Sequence, residues 1–327
     1  MITHKSYSQL TSVENLFQAW SEFKVGKRKR KDVQEFERNL EDNLFDLRFK
    51  LKTKTYRHGN YFAFYVHDPK QRHIHKASVQ DRVVHHLLYQ YLYTLFDSSF
   101  TFDSYSCRLE KGTHKGILRL ENFLRKVSRN YTGSCWALKL DIRKFFANVD
   151  HDILMELLKR KINDKDLLRL LKEVIDSFPQ GIPLGNLTSQ IFANIYMNEL
   201  DRFIKHKLKI KYYIRYADDF LILSINKNNL QSLIKPVDKF LQEKLKLELH
   251  PKKIILKRFD WGIDFLGYIV LPQYILPRTK TKKRMFRKLK EKLESENFNQ
   301  SLQSYIGYLS HANAYNLSNK IATQRFQ

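Results

Sequence analysis

The chain has 327 residues, 43% of them hydrophobic and 13% aromatic, a composition that supports a packed core and excludes a disordered chain. Lys and Arg number 59 against 34 Asp and Glu, a net charge of +25, and such a field attracts polyanions, nucleic acid first and anionic membrane second. No apolar run approaches the ~20 residues of a membrane span, and the opening Met-Ile-Thr-His-Lys-Ser-Tyr lacks the apolar segment of a signal peptide, so a cytoplasmic protein with no membrane partner is expected.

The length suits two or three lobes around one large core. Cys107 and Cys135 are the two cysteines, and they do not fall in a paired spacing, which argues against a disulfide framework or a Cys-rich zinc site. His73/His75 and His85/His86 have no Cys or carboxylate at ligand spacing and read as polar or phosphate-facing histidines.

In chain order, residues 11–24 read as a helix with Thr11 and Glu14 as a capping box and Val13, Leu16, Phe17 and Trp20 on one face. A basic run follows, Lys27-Arg28-Lys29-Arg30-Lys31 after Gly26, either a solvated loop or a phosphate contact. Residues 32–52 read as helix, 61–67 as a strand, Asp68-Pro69-Lys70 as a turn and 71–76 as a basic strand. Val79–Phe96 and Thr113–Val127 are helical patterns. Trp136–Asp141 is a buried-strand pattern ending in a carboxylate. Helices are expected over 151–161 and 190–206, a hairpin over 212–224 around Ala217-Asp218-Asp219, a helix over 230–247, and strands over 254–257 and 264–270. A basic helix containing Lys282, Lys283, Arg284 and Arg287 begins near Thr279, and an apolar-periodic helix covers about 301–325. This irregular mixture of strands, hairpins and helices predicts an α+β fold with helices backing an antiparallel sheet.

Phosphoryl transfer needs charge neutralised on both the attacking and the leaving oxygen, which two divalent ions roughly 3.5–4 Å apart accomplish when rigid carboxylates hold them. Asp141 at a strand end and Asp218-Asp219 at a hairpin tip can supply that geometry. Taken alone, the Asp pair reads as an ordinary turn and Asp141 as a helix N-cap; their combination with the intervening segments carries the functional reading.

Tyr216-Ala217-Asp218-Asp219 in a hydrophobic hairpin resembles the Tyr-x-Asp-Asp signature of reverse transcriptases. Other segments line up in that family's order. Leu140-Asp141-Ile142-Arg143-Lys144-Phe145-Phe146 resembles the first palm motif, and Leu184-Gly185-Asn186-Leu187-Thr188-Ser189-Gln190 the palm-helix motif. Leu247 to Ile254 contains the Lys that follows the hairpin, Phe265-Leu266-Gly267-Tyr268 resembles the primer grip, and Arg72 falls in the basic fingers strand. The resemblance implies a right-hand fold: fingers over about 1–130 with part of 150–190, palm over 131–270 and thumb over 271–327. It implies that Asp141 and Asp218 bind two Mg²⁺ ions (Mn²⁺ substituting), with Asp219 in support and the carbonyl of Ile142 completing one metal shell. It further implies that Phe146 lies under the incoming sugar, where a ring excludes a ribose 2′-OH, with Phe145 beside it a core residue, that Arg72 holds the triphosphate, that Lys253, with Lys252 adjacent, protonates or neutralises the leaving pyrophosphate, and that Gly267 lets the backbone approach the primer.

Most relatives, group II intron and retroviral types included, carry Gln where this chain has Leu184. An aliphatic residue there, with Ser189-Gln190, resembles the reverse transcriptases of diversity-generating retroelements, as do Trp20, Asp81-Arg82, the stretch Cys107–His114 and Gly-Tyr-Leu-Ser-His-Ala at 307–312. That resemblance implies copying of a structured template-repeat RNA into cDNA with errors opposite adenines, on dNTPs and a cDNA/RNA duplex, together with a small basic accessory variability protein that forms a pentamer. A retron or group II intron enzyme and a silent nucleic-acid binder are the alternatives; the chain beyond the primer grip leaves room for a thumb but not for a maturase DNA-binding region or an endonuclease. The basic helix at 280–290 contacts duplex backbone, is a solvated face, or meets the accessory partner.

Overall fold

The computed structural model describes residues 6–67 and 70–323; the turn expected at Asp68-Pro69, the opening Met1–Lys5 and the end of the helix expected over 301–325 lie outside that range. The chain forms two compact units, one built from Met1–Phe102, Ile142–Phe203 and Asp238–Glu248, the other from Asp103–Asp141, Ile204–Val237 and Leu249–Gln327.

In the first unit the N-terminal helices pack on the long helix Val79–Phe96, which in turn packs on Leu187–Arg202. Leu16, Ala19, Trp20 and Phe23 of the helix Val13–Phe23 are buried on one stripe, as 3.6-residue periodicity requires. Its cap is Ser12, which accepts from the Asn15 amide, not Thr11 as the sequence pattern suggested. The Thr11 hydroxyl is already committed to the Tyr7 carbonyl, closing a short preceding helix. The helix expected over 32–52 is two, Lys31–Arg38 and Leu40–Lys52, interrupted at Asn39, and the Asn43 side chain donates to the Phe36 carbonyl that the break leaves open. Strands β1 (Phe62–Val66) and β2 (Arg72–Lys76) form an antiparallel ribbon. A further helix beyond those expected, Lys165–Asp176, packs on His151–Lys159.

In the second unit, β3 (Trp136–Asp141), β4 (Tyr213–Tyr216), β5 (Asp219–Ser224) and β6 (Ile255–Arg258) form an antiparallel sheet ordered β4-β5-β3-β6. The single strand expected over 264–270 is a hairpin, β7 (Ile263–Phe265) and β8 (Tyr268–Leu271), turning at Leu266-Gly267, both in the left-handed region at φ 49° and 93°. A further strand, β9 (Tyr274–Pro277), completes a separate three-stranded sheet. One core cluster joins Ala137, Leu221 and Leu223 of the larger sheet to Ile117, Leu120 and Leu124 of the helix Thr113–Val127 and to Phe265, Tyr268 and Val270 of the smaller sheet. Helices Thr279–Glu291, Phe298–Leu309 and Tyr315–Ala322 enclose a second cluster of Met285, Leu289, Phe298, Leu302, Leu309 and Ile321; the one helix expected near 301–325 breaks before Tyr315. Among the described residues no helix is long and apolar enough to cross a membrane.

Gly181 sits at φ 70°, where a Cβ would overlap the carbonyl of Phe146, the acceptor for the Ile182 amide at 2.7 Å. Gly181→Ala is therefore expected to lower unfolding free energy by about 1–3 kcal/mol, read as a lower denaturant midpoint at unchanged m-value.

Candidate active site

In the second unit, alternation along β3 puts Ala137, Lys139 and Asp141 on one face. The register sets Asp141 opposite Asp219 and Lys139 opposite Leu221. This is the face that packs on the core cluster through Ala137, Leu221 and Leu223, so two carboxylates meet side by side at its rim. Like charges directly opposed across a ladder repel, and the fold meets that repulsion with two ammonium groups. Lys253 Nζ lies 2.7 Å from Asp141 Oδ1, and Lys139 Nζ lies 3.0 Å from Asp219 Oδ2. Lys253 makes this contact while its neighbour Lys252 is exposed. Oδ1 of Asp219 is buried with no hydrogen-bond partner. Burial, with Asp141 and Asp218 adding to it against Lys139, pushes Asp219 up to about 6.

The hairpin tip is braced from below. Tyr216 pairs with Asp219, leaving Ala217 and Asp218 as a two-residue loop. Ala217 has φ 54°, at the first central position, where tight hairpins often use glycine. Arg215, wholly buried, donates to the Ala217 carbonyl at 3.0 Å and to Ser104 Oγ at 2.9 Å. The Asp141 carbonyl accepts from the His250 amide at 2.8 Å, which fixes the end of β3.

Among the described residues no three His, Cys, Asp or Glu side chains group into a complete metal cage. The residues nevertheless fit a hard divalent ion. The donors are all carboxylate oxygens, one is buried and unpartnered, and two lysine ammoniums already supply positive charge there. Mg²⁺ suits such a set because it takes one or two carboxylates and completes its shell with phosphates and water.

Other expected site residues of this unit are placed as follows. Phe265 and Tyr268 are fully buried in the core, and Tyr268 stacks on Tyr308 with ring centroids 4.6 Å apart. Leu266 and Gly267 form the partly exposed turn, whose Gly267 carbonyl accepts from Tyr308 Oη at 2.6 Å and the Arg278 amide at 3.0 Å. Lys283 and Arg287 are exposed on the helix Thr279–Glu291, and Lys282 and Arg284 are half-buried. Cys135 is buried, which pushes its thiol up to about 12, and both cysteines are free thiols.

In the first unit, the segment leading into the helix Leu187–Arg202 runs beside β2. The Leu184 carbonyl accepts from the His75 amide at 2.9 Å, and the Asn186 side chain donates to the His75 carbonyl at 2.9 Å. Gly185, at φ 112°, permits this approach, since a Cβ there would press on Ile74. Leu184 is half-buried, and Gly185, Gln190 and Arg72 are exposed. Beneath them, His85 Nδ1 lies 2.5 Å from Thr188 Oγ1, and His85 Nε2 3.1 Å from His58 Nε2. Burial holds His85 down at about 3, hence neutral. Phe146 is half-buried against Phe145, which is buried, and Ile142 is buried directly after Asp141. In the basic loop, Lys27 folds back over the Phe23 ring and carbonyl, while Arg28, Lys29 and Arg30 are exposed.

Lys139, Arg215 and His58 were not singled out from the sequence, and His85, read there as polar or phosphate-facing, is instead buried against Thr188. Only Lys139 carried a usable signal: a lone cation two residues before a strand-end carboxylate shares its face.

An unfolded Asp ionises near ~4 and the folded Asp219 near about 6, so ionisation costs stability. That cost is absent below the lower value and complete above the upper one. Asp219→Asn is therefore expected to raise the thermal midpoint of the metal-free protein at about pH 7.5 and to leave it unchanged near about pH 4, a comparison readable by calorimetry.

The reverse transcriptase (RNA-dependent DNA polymerase) family profile matches residues 67–270, more than half of the chain. Protein YkfC of Escherichia coli K12 is 24% identical over 241 residues, covering 61% of this chain and 63% of that protein. The group II intron-encoded protein LtrA of Lactococcus lactis subsp. cremoris is 23% identical over 271 residues, covering 61% of this chain and 44% of LtrA. The chain thus spans less than two thirds of the length of these relatives. Apo telomerase from Candida tropicalis, truncated from its C-terminal domain, superposes with a TM-score of 0.51 at 14% identity over 72% of this chain and 60% of that one. The fold is the right-hand polymerase fold, α+β with an antiparallel palm sheet, and the chain belongs to the reverse transcriptase family.

Proposed function

We propose that the protein is an RNA-directed DNA polymerase of the diversity-generating retroelement type, which copies a template-repeat RNA into cDNA with frequent errors opposite adenine. The observation that carries the polymerase reading is Asp141 opposite Asp219 with Asp218 at the adjoining tip, three carboxylates on a braced hairpin and a central strand. Family membership supports it. In the reaction the primer 3′-OH gives up its proton to solvent and its oxygen bonds to the α-phosphorus of a dNTP as the bond to the pyrophosphate oxygen breaks. Asp141, Asp218 and the Ile142 carbonyl would hold two Mg²⁺ ions, with Asp219 in support, and the ions would supply positive charge for the attacking and leaving oxygens. Lys253, resting on Asp141, is released toward the pyrophosphate. Arg72 grips the triphosphate, Phe146 screens the 2′ position, and Leu266-Gly267 meets the primer. Fingers (1–130 with part of 150–190), palm (131–270) and thumb (271–327) divide the work, with Lys282, Lys283, Arg284 and Arg287 on duplex phosphates and Lys27, Arg28, Lys29 and Arg30 on RNA. A small basic pentameric accessory protein completes the assembly.

The subtype rests on Leu184. An aliphatic side chain withholds a hydrogen bond that a Gln would give to nucleotide or template, and the penalty on a mismatch shrinks with it. The group II intron type is the second reading, favoured by the likeness to LtrA.

Asp218→Ala is expected to abolish Mg²⁺-dependent dNTP incorporation on a primed RNA. In the active enzyme, Leu184→Gln is expected to lower misincorporation opposite adenine by roughly 10-fold, measured by sequencing cDNA; an unchanged error spectrum refutes the role of Leu184 and leaves the group II reading. Phe146→Ala is expected to raise ribonucleotide use by about 10- to 100-fold in competition between rNTP and dNTP.

A further inference from the structure

Lys139 has a second partner. Its ammonium donates to the Asp264 carbonyl at 2.9 Å while it pairs with Asp219 at 3.0 Å, and it lies 5.8 Å from the centre of the Phe265 ring. Asp264 and Phe265 belong to β7, whose sheet shares no hydrogen-bonded ladder with the sheet of β3 and β5 among the described residues. One largely buried side chain, 17% exposed, thus joins the aspartate hairpin to the hairpin whose tip is Leu266-Gly267. The tip's far side is held independently, by Tyr308 and Arg278 on the Gly267 carbonyl.

We propose that Lys139 is a positioning residue that sets the distance between the carboxylates and the primer-contacting turn, and so the alignment of the primer 3′ end; this rests on the polymerase reading above. An ammonium suits the task because it is a compact donor that can serve a carboxylate and a carbonyl together. It also balances Asp219 through Oδ2 and leaves Oδ1 without a partner. Loss of the tie lets the turn drift, and in-line attack tolerates little drift, since an error near 1 Å costs about 100-fold in rate.

The test uses the full chain with a defined RNA template, a DNA primer, dNTPs and Mg²⁺. Lys139→Met is expected to lower kcat by roughly 10- to 100-fold while the dNTP KM moves less than about 3-fold, and Lys139→Arg is expected to restore most of the rate. In metal-free protein without substrate, amides of residues 264–268 are expected to exchange several-fold faster in Lys139→Met. Lys253→Met, which removes the other ammonium, is expected to leave them as in the wild type. Unchanged exchange in Lys139→Met, failure of Lys139→Arg to rescue, or a Lys139→Met chain that does not fold overturns the proposal, the last by making the residue structural. A wild-type chain that incorporates no dNTP defeats the polymerase reading instead, and the exchange comparison still decides whether Lys139 makes the tie.

Discussion

Two carboxylates facing each other across neighbouring strands are an unfavourable arrangement, and much of the second unit is organised around keeping it. Asp141 and Asp219 lie directly opposite each other at the rim of the face of the sheet that packs on the core. The countercharges Lys139 and Lys253 come from the strand itself and from the turn before β6. Arg215 holds the hairpin tip from the buried side, supporting an alanine in a conformation that costs L-residues about 1–2 kcal/mol. The site is thus costly to maintain in isolation, and the two ammonium groups offset the charge of its carboxylates.

In the first unit, the close approach of the segment before Leu187 to β2 is made by backbone and by a glycine. Leu184 contributes its backbone to the structure, through the carbonyl that meets His75, and the neighbouring Gly185 fulfils the steric demand of the close approach. The side chain at 184 takes part in neither.

The strands that carry the carboxylates were legible because a short apolar run with a charge at one end fits a buried strand reaching the rim of a sheet and little else. Val79–Phe96, Thr113–Val127 and Trp136–Asp141 have the bounds their periodicity suggested. Elements ending on a local competition were harder. Thr11 and Ser12 both suit a cap, and only the Tyr7 carbonyl decides between them. Leu266-Gly267 reverses a stretch whose apolar content alone reads as one strand, since Phe265 and Tyr268 fill the core from both sides of the turn. Arg215 was illegible for a different reason. An arginine within a strand usually faces water, and its burial depends on Ser104, distant in sequence. Lys139 could be placed on the right face, but its partner Asp264 lies beyond what strand alternation predicts.

The pair of buried imidazoles in the first unit has one further consequence. The His58 Nδ1 contact with the Gly59 carbonyl at 2.7 Å requires a proton on that nitrogen. His58 Nε2 is then an acceptor, His85 Nε2 the donor, and His85 Nδ1 accepts from Thr188. Every link therefore points the same way, from the helix that follows Leu184 to the strand entry at Gly59. The hydroxyl of a helix and the carbonyl of a strand entry, distant in sequence, are thereby tied through two rings whose tautomers are set together.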